Sequence, residues 1–160
     1  MKRIGISLVL YIVTTLFCFG QLPHTFTQYT SENGLSQSTI MSILQDHKGL
    51  MWFATWDGLY KFDGYAFKNY KAHPGDSIGL SNNRLDNIKE DKYGYIWVQS
   101  YNHQVYRFNP RLEQFQAIPY NNYLSLDMYV LPCGDIWIVT IQNELLHITT
   151  HPETYELNVT

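Results

Sequence analysis

Cysteine is nearly absent: Cys18 and Cys133 are the two in the sequence. Cys18 lies in a stretch that reads as removable, and a lone Cys133 can form no internal disulfide, so the fold must be held by its core. Export without disulfides suits a bacterial periplasmic domain better than a small secreted eukaryotic one. A basic excess is missing as well, with 11 Lys+Arg against 14 Asp+Glu. That balance offers none of the positive surface duplex nucleic acid requires, which argues against nucleic acid as a partner of this segment. Helical periodicity does not run through the body of the chain. Charged residues are few, at 16%, and equalled by aromatics, led by 13 tyrosines. Such a composition suits strands and packed sheets.

The N-terminus is of another class. Lys2 and Arg3 precede an almost wholly apolar run over 4–19, which closes on Cys18-Phe19-Gly20. This layout predicts a secretory signal peptide over 1–20, cleaved after Gly20. Read instead as an uncleaved anchor, the run falls slightly short of the roughly 17–25 residues a spanning helix needs. A lipoprotein signal at Cys18 is disfavoured by the bulky Leu16-Phe17 before it.

The body is a repeat. DHKGLMWFATWDGLYKF at 46–62 returns as DKYGYIWVQSYNHQVYRF at 91–108, and more loosely as LPCGDIWIVTIQNELLHI at 131–148. In each copy a glycine stands three residues before a tryptophan: Gly49 and Trp52, Gly94 and Trp97, Gly134 and Trp137. Around these, short apolar segments alternate with turn signals such as Asn33-Gly34, Asp57-Gly58 and Asp63-Gly64. Each unit reads as four short strands, and the turns are too short for parallel crossovers, so each is an antiparallel meander. Asp46 and Asp91 are expected to tie their own turns, with the glycines supplying positive φ. Leu131 stands where the third unit should have its aspartate, so that turn is expected to be less well tied.

Four-stranded antiparallel units of about 40–45 residues with fixed Gly/Trp punctuation predict an all-β chain of β-propeller blades. A tryptophan at one place in every unit is expected to fill the wedge between successive blades. The predicted division is a signal peptide at 1–20, an N-terminal strand of a closing blade at 21–34, blade 1 at 35–73, blade 2 at 74–119 and a degenerate blade 3 at 120–160. The fourth strand of blade 3 is expected over 155–157. Closed propellers take about 4–8 blades. Three blades and one orphan strand therefore predict an incomplete propeller, the opening part of a longer protein.

The phrases GLSQSTIMSILQDHKGLMWFATWDGLYKFDGYAFKNY and GLSNNRLDNIKEDKYGYIWVQSYNHQVYRF resemble the two-component regulator propeller repeat of Bacteroidetes hybrid two-component sensors. The first unit carries it through Ile43, Asp46, Gly49, Trp52, Thr55, Gly58, Leu59, Phe62, Asp63 and Gly64. The second departs at His103, where glycine is usual, and the third keeps little beyond Gly134 and Trp137. The resemblance implies a non-enzymatic sensing segment in the periplasm, whose parent detects glycan-derived oligosaccharides and regulates transcription. It further implies that the parent is a histidine kinase anchored in the inner membrane, which this segment reaches only through the rest of that parent. Partners implied are an oligosaccharide and the remaining blades or a dimer partner of the sensor. The alternatives are the opening blades of a secreted carbohydrate-active propeller enzyme, or a propeller that docks a protein.

No catalytic residue, cofactor or metal is assigned. Asp46 and Asp91 hold equivalent places in successive repeats and read as turn aspartates rather than a catalytic pair. His147 and His151 stand four apart, a metal spacing only on a helix, and here strand and loop intervene. The ligand candidates are Trp56 and Asp57 in one strand-connecting loop, with Tyr101, Asn102 and His103 in the corresponding loop of the second unit. An exposed tryptophan beside a carboxylate can cover the apolar face of a pyranose while the acid accepts from hydroxyls. The competing reading packs Trp56 between blades.

Overall fold

The computed structural model describes residues 26–36, 39–72, 79–119 and 123–160. The expected signal peptide, with Cys18, lies outside the described residues. So do 21–25 of the expected closing strand and residues 73–78 and 120–122 at the blade boundaries. Blade 1 consists of β1 (Ile40–Gln45), β2 (Met51–Thr55), β3 (Gly58–Phe62) and β4 (Phe67–Tyr70). Blade 2 consists of β5 (Leu85–Glu90), β6 (Ile96–Ser100), β7 (Val105–Asn109) and β8 (Gln114–Ala117). Blade 3 consists of β9 (Ser125–Val130), β10 (Ile136–Thr140), β11 (Leu145–Thr150) and β12 (Leu157–Val159). Strands that follow one another in sequence are hydrogen-bonded neighbours in each four-stranded sheet, and every pairing is antiparallel. The short turns permit nothing else. No helix among the described residues is long and apolar enough to cross a membrane.

The first hairpin of each blade is built alike. The N–H of Asp46, Asp91 or Leu131 donates to the carbonyl of Leu50, Tyr95 or Asp135, at 2.9, 3.0 and 2.8 Å. The glycine N–H then donates back to the carbonyl of the turn's first residue. Closing that turn takes φ of 83°, 81° and 94° at Gly49, Gly94 and Gly134, a left-handed conformation that glycine adopts without a Cβ clash. The aspartates do more than tie these loops. Asp46 Oδ1 accepts from the amides of Lys48 and Leu50, both at 2.9 Å, while its Oδ2 accepts from Trp52 Nε1 at 2.8 Å. Asp91 repeats the arrangement with Tyr93, Tyr95 and Trp97 Nε1.

That bond lets an indole sit in a dry seam with its N–H satisfied. Trp52 is fully buried, 6.1 Å from the Tyr70 ring of its own blade and 5.7 Å from the Phe108 ring of the next. Leu85, Ile88, Ile96 and Val98 of blade 2 complete the cluster around it. Trp97, also fully buried, performs the same duty against Met128, Ile136, Ile138 and Ile148 of blade 3. Removing one such ring from water contributes roughly 4–6 kcal/mol before entropy is counted. The seams between blades are therefore where the core lies.

Blade 3 differs from the other two. Leu131 stands in place of the aspartate, so the Trp137 indole has no carboxylate partner among the described residues. It is half-buried and stacks on His147, with centroids 4.2 Å apart and planes 12° off parallel. His147 Nε2 in turn lies 3.1 Å from Asp135 Oδ2. The fourth strand also begins later than 155–157, because Tyr155 takes φ 58° within a turn closed by its N–H on the His151 carbonyl. Residues 26–30, expected to complete a last blade, pair with no strand among the described residues. Instead Tyr29 packs edge-on against Phe62 and Phe67, at 5.0 and 5.5 Å.

The difference between blades makes a direct prediction. Leu131→Asp offers a carboxylate to the amides of the third turn and to the Trp137 indole, and removes an exposed leucine. It is expected to stabilise the protein by about 1 kcal/mol, read as a higher urea midpoint with unchanged slope. A lower midpoint would show that the third turn cannot adopt the geometry of the first two.

Candidate functional site

In a four-stranded meander, the β2–β3 hairpin and the segment leading into the first strand lie at the same end of the blade. Backbone hydrogen bonds stitch these elements together around the arc. The N–H of Trp56, Tyr101 and Ile141 donates to the carbonyl of Thr39, Arg84 and Leu124, each in the lead-in of its own blade. Between blades, Gly58 N–H donates to the Asn83 carbonyl and Ser125 N–H to the His103 carbonyl, both at 2.8 Å. The hairpins of successive blades are thereby set side by side, forming a rim.

Two of the sequence-predicted residues meet there. Trp56 and Tyr101 flank one guanidinium, that of Arg84, whose central carbon lies 4.2 Å from each ring centroid. Both residues remain exposed to solvent, Trp56 at 41% and Tyr101 at 53%. Trp56 thus packs against the arginine that leads into the next blade. Arg84 donates no side-chain hydrogen bond among the described residues, and its Nε–H is buried without a partner. Attraction of the cation to each ring face is worth about 0.5–1 kcal/mol where water has access.

Asp57, Asn102 and His103 sit on the same rim but are engaged in holding it. Asp57 Oδ2 accepts from Ser36 Oγ at 2.8 Å, from Tyr60 OH at 3.2 Å and from Lys71 Nζ at 2.7 Å. Ser36 Oγ is also hydrogen-bonded to Tyr60 OH. Burial pushes the Asp57 carboxyl up, but the hydrogen bonds of Lys71 and Ser36 and the Lys71 charge outweigh it and hold the group below the usual carboxylate range. Burial pushes the Tyr60 phenol up. The same cluster recurs in blade 2, where Ser81 Oγ meets Tyr106 OH at 2.6 Å and accepts from Asn102 Nδ2 at 3.3 Å. Each Gly-Leu-Ser turn is thus pinned to its hairpin and to the tyrosine of its third strand. His103 points toward blade 3, with Nδ1 3.0 Å from the Ser125 carbonyl oxygen. It takes φ 65°, as Asn143 does in the blade 3 hairpin at φ 64°, which is why glycine suits this place.

Sequence reasoning overlooked Arg84. The usable signal was positional: Asn82-Asn83-Arg84 leads into β5, so chain direction alone puts it at the end that carries the hairpins. The opposite end of the blades holds two concavities, about 390 and 500 Å³, lined by Tyr93, Tyr95, Leu112 and Tyr155 among others. Arg107 borders the second, where it ties blade 3 to blade 2 by donating from Nη2 to Gln116 Oε1 and to the Tyr155 carbonyl. No group of three metal-ligating side chains occurs among the described residues. His147 is held by Asp135, and His151 Nδ1 accepts the amides of Glu153 and Thr154.

Residues 34–57 match the family model described as a two-component regulator propeller. A histidine kinase of Formosa agariphila is 40% identical over 83 residues, which is 51% of this chain and 6% of the kinase. A B. thetaiotaomicron extracellular domain assigned to a hybrid two-component system superposes with a TM-score of 0.66 at 23% identity, over 85% of this chain and 20% of that one. Virginiamycin B lyase of Staphylococcus aureus has the same architecture, with a TM-score of 0.54 at 15% identity over 76% of this chain and 41% of the lyase. These superpositions establish propeller blades. The chain spans a small fraction of the kinase and about a fifth of that extracellular domain.

Proposed function

We propose that this chain is a ligand-sensing propeller segment of an exported two-component sensor, that it performs no catalysis itself, and that its parent responds to glycan-derived oligosaccharides. The observation that carries the reading is where the family repeat falls on the structure. The matched stretch 34–57 opens at the Gly-Leu-Ser turn and closes on the Trp56-Asp57 hairpin, the two parts that Ser36 and Asp57 bind together into the rim. The repeat therefore builds the surface on which the exposed aromatic pair stands. Two exposed aromatic rings suit the apolar face of a pyranose, and the rim hydroxyls and amides suit its edge. A propeller lyase shares the architecture, so fold alone does not separate a sensor from an enzyme; the repeat over 34–57 favours the sensor.

Calorimetric titration of the purified protein with a panel of neutral and acidic oligosaccharides tests this. Trp56→Ala is expected to weaken the bound member about 10-fold while leaving the unfolding midpoint within about 0.5 kcal/mol of the parent. Binding to no saccharide, or release of a cleaved product, would overturn the reading.

A further inference from the structure

The guanidinium of Arg84 is in an unusual position. Three other cations of blades 1 and 2 hold acceptors: Lys71 holds Asp57, Lys68 holds Glu113, and Arg107 holds Gln116 and the Tyr155 carbonyl. Arg84 has two aromatic rings and no acceptor among the described residues. The rings cover both faces of the guanidinium plane, so a partner must approach along its edge. They also restrict its rotation, which lowers the entropy lost when a partner docks. An edge-on guanidinium presents parallel N–H donors that match a planar carboxylate and exceed what neutral hydroxyls can use. Asp86, two residues on in β5, lies within electrostatic reach of Arg84 and His103 yet forms an ion pair with neither among the described residues; burial pushes its carboxyl up. No carboxylate among the described residues pairs with the fork.

We propose that the ligand of this rim carries a carboxylate, received edge-on by Arg84 between Trp56 and Tyr101, and that it belongs to the class of uronate-containing oligosaccharides. The proposal rests on the sensing reading above and narrows it. A sugar is favoured over an acidic peptide because Trp56 and Tyr101 stay exposed beside the charge, at 41% and 53%. They supply flat apolar surface next to a cation, which a pyranose bearing a carboxylate fills with both its parts. Bound carboxylate would also give the half-buried guanidinium the acceptor it lacks.

The test titrates the full chain with trigalacturonate, with its neutral methyl ester and with triglutamate, at low and moderate salt. Trigalacturonate is expected to bind at least about 10-fold more tightly than the ester, more weakly as salt rises. Arg84→Lys keeps the charge but loses the fork, and is expected to remove most of that margin while the ester is bound as before. Equal affinity for acid and ester would overturn the carboxylate proposal and leave oligosaccharide sensing standing. Triglutamate binding as tightly as trigalacturonate would overturn it in favour of a peptide. Failure of every saccharide, neutral or acidic, would remove both readings. Far-ultraviolet circular dichroism of Arg84→Lys, unchanged from the parent, assigns any loss to the site.

Discussion

Replacing Asp91 with alanine is expected to cost about 3 kcal/mol or more of folding stability, although Asp91 lies in a turn. A surface-turn substitution ordinarily stays within about 0.5 kcal/mol. Asp91 is not at the surface, being 5% exposed. Its Oδ1 holds the amides of Tyr93 and Tyr95 at 2.9 and 3.0 Å, and its Oδ2 holds the Trp97 indole at 2.8 Å. Truncation leaves three donors without an acceptor. One of them sits in the seam between blades 2 and 3, where water cannot replace the carboxylate, and each buried orphan costs about 1–3 kcal/mol. A second consequence lies across the strand, where Arg107 pairs with Trp97 in the ladder. Burial pulls the Arg107 guanidinium down from its usual value, and the charge of Asp91 is among the interactions that offset this. Urea unfolding of Asp91→Ala, Trp97→Phe and the double variant measures the pair. Trp97→Phe keeps most of the ring and removes the N–H, so the two changes should be strongly non-additive, by at least about 1 kcal/mol. Additive effects would mean that the indole bond contributes nothing and that Asp91 acts on its loop alone.

This pair shows what the sequence makes legible and what it hides. The fixed spacing from Asp46 to Gly49 to Trp52, repeated at Asp91, Gly94 and Trp97, is enough to place a turn, a strand and a wedge. The turn is local, and glycine in a left-handed conformation is a local requirement. The bond from the aspartate to the indole six residues later depends on how the hairpin twists, and no pattern of residue types announces it. Its absence from blade 3 was visible as Leu131, yet the result, a half-buried Trp137 stacked on His147, depends on what lies beside the sheet. The rim divides in the same way. Trp56 and Tyr101 were legible as large rings in hairpins. That they share a single arginine was not, because Arg84 belongs to neither hairpin motif and joins them only when adjacent blades meet. Asp57 and Asn102 look like ligand groups in a sequence. In the fold their near partners are Ser36, Ser81 and the strand tyrosines' network, a tether that needs long-range pairing to exist.

The other large effect is expected at Gly58, through which the fold and the rim are joined. Gly58→Ala should destabilise the protein by about 3 kcal/mol, and Gly64→Ala by about 1 kcal/mol. Both glycines have left-handed φ, 111° and 97°, so both substitutions introduce backbone strain. Only Gly58 has no room. A Cβ there would stand 2.5 Å from the Tyr70 carbonyl oxygen and 2.7 Å from Asn69 Oδ1, whereas at Gly64 nothing lies within 4 Å. The Tyr70 oxygen is backbone, in the strand that pairs with β3 through Leu59, so it can yield only if the β3–β4 ladder shifts. The gap between the two variants in urea unfolding isolates the steric part from the strain; equal losses would show that the hairpin moves aside freely. The same shift has a functional reading. Gly58 N–H holds the Asn83 carbonyl, one residue before Arg84, and so fixes the arginine's lead-in to the hairpin that carries Trp56. Under conditions where Gly58→Ala is still folded, its affinity for trigalacturonate should therefore fall along with its stability, whereas Gly64→Ala should bind as the parent does. If both variants bind alike, the arginine is held in place by its two rings alone, and the backbone stitch between blades serves stability without serving the site.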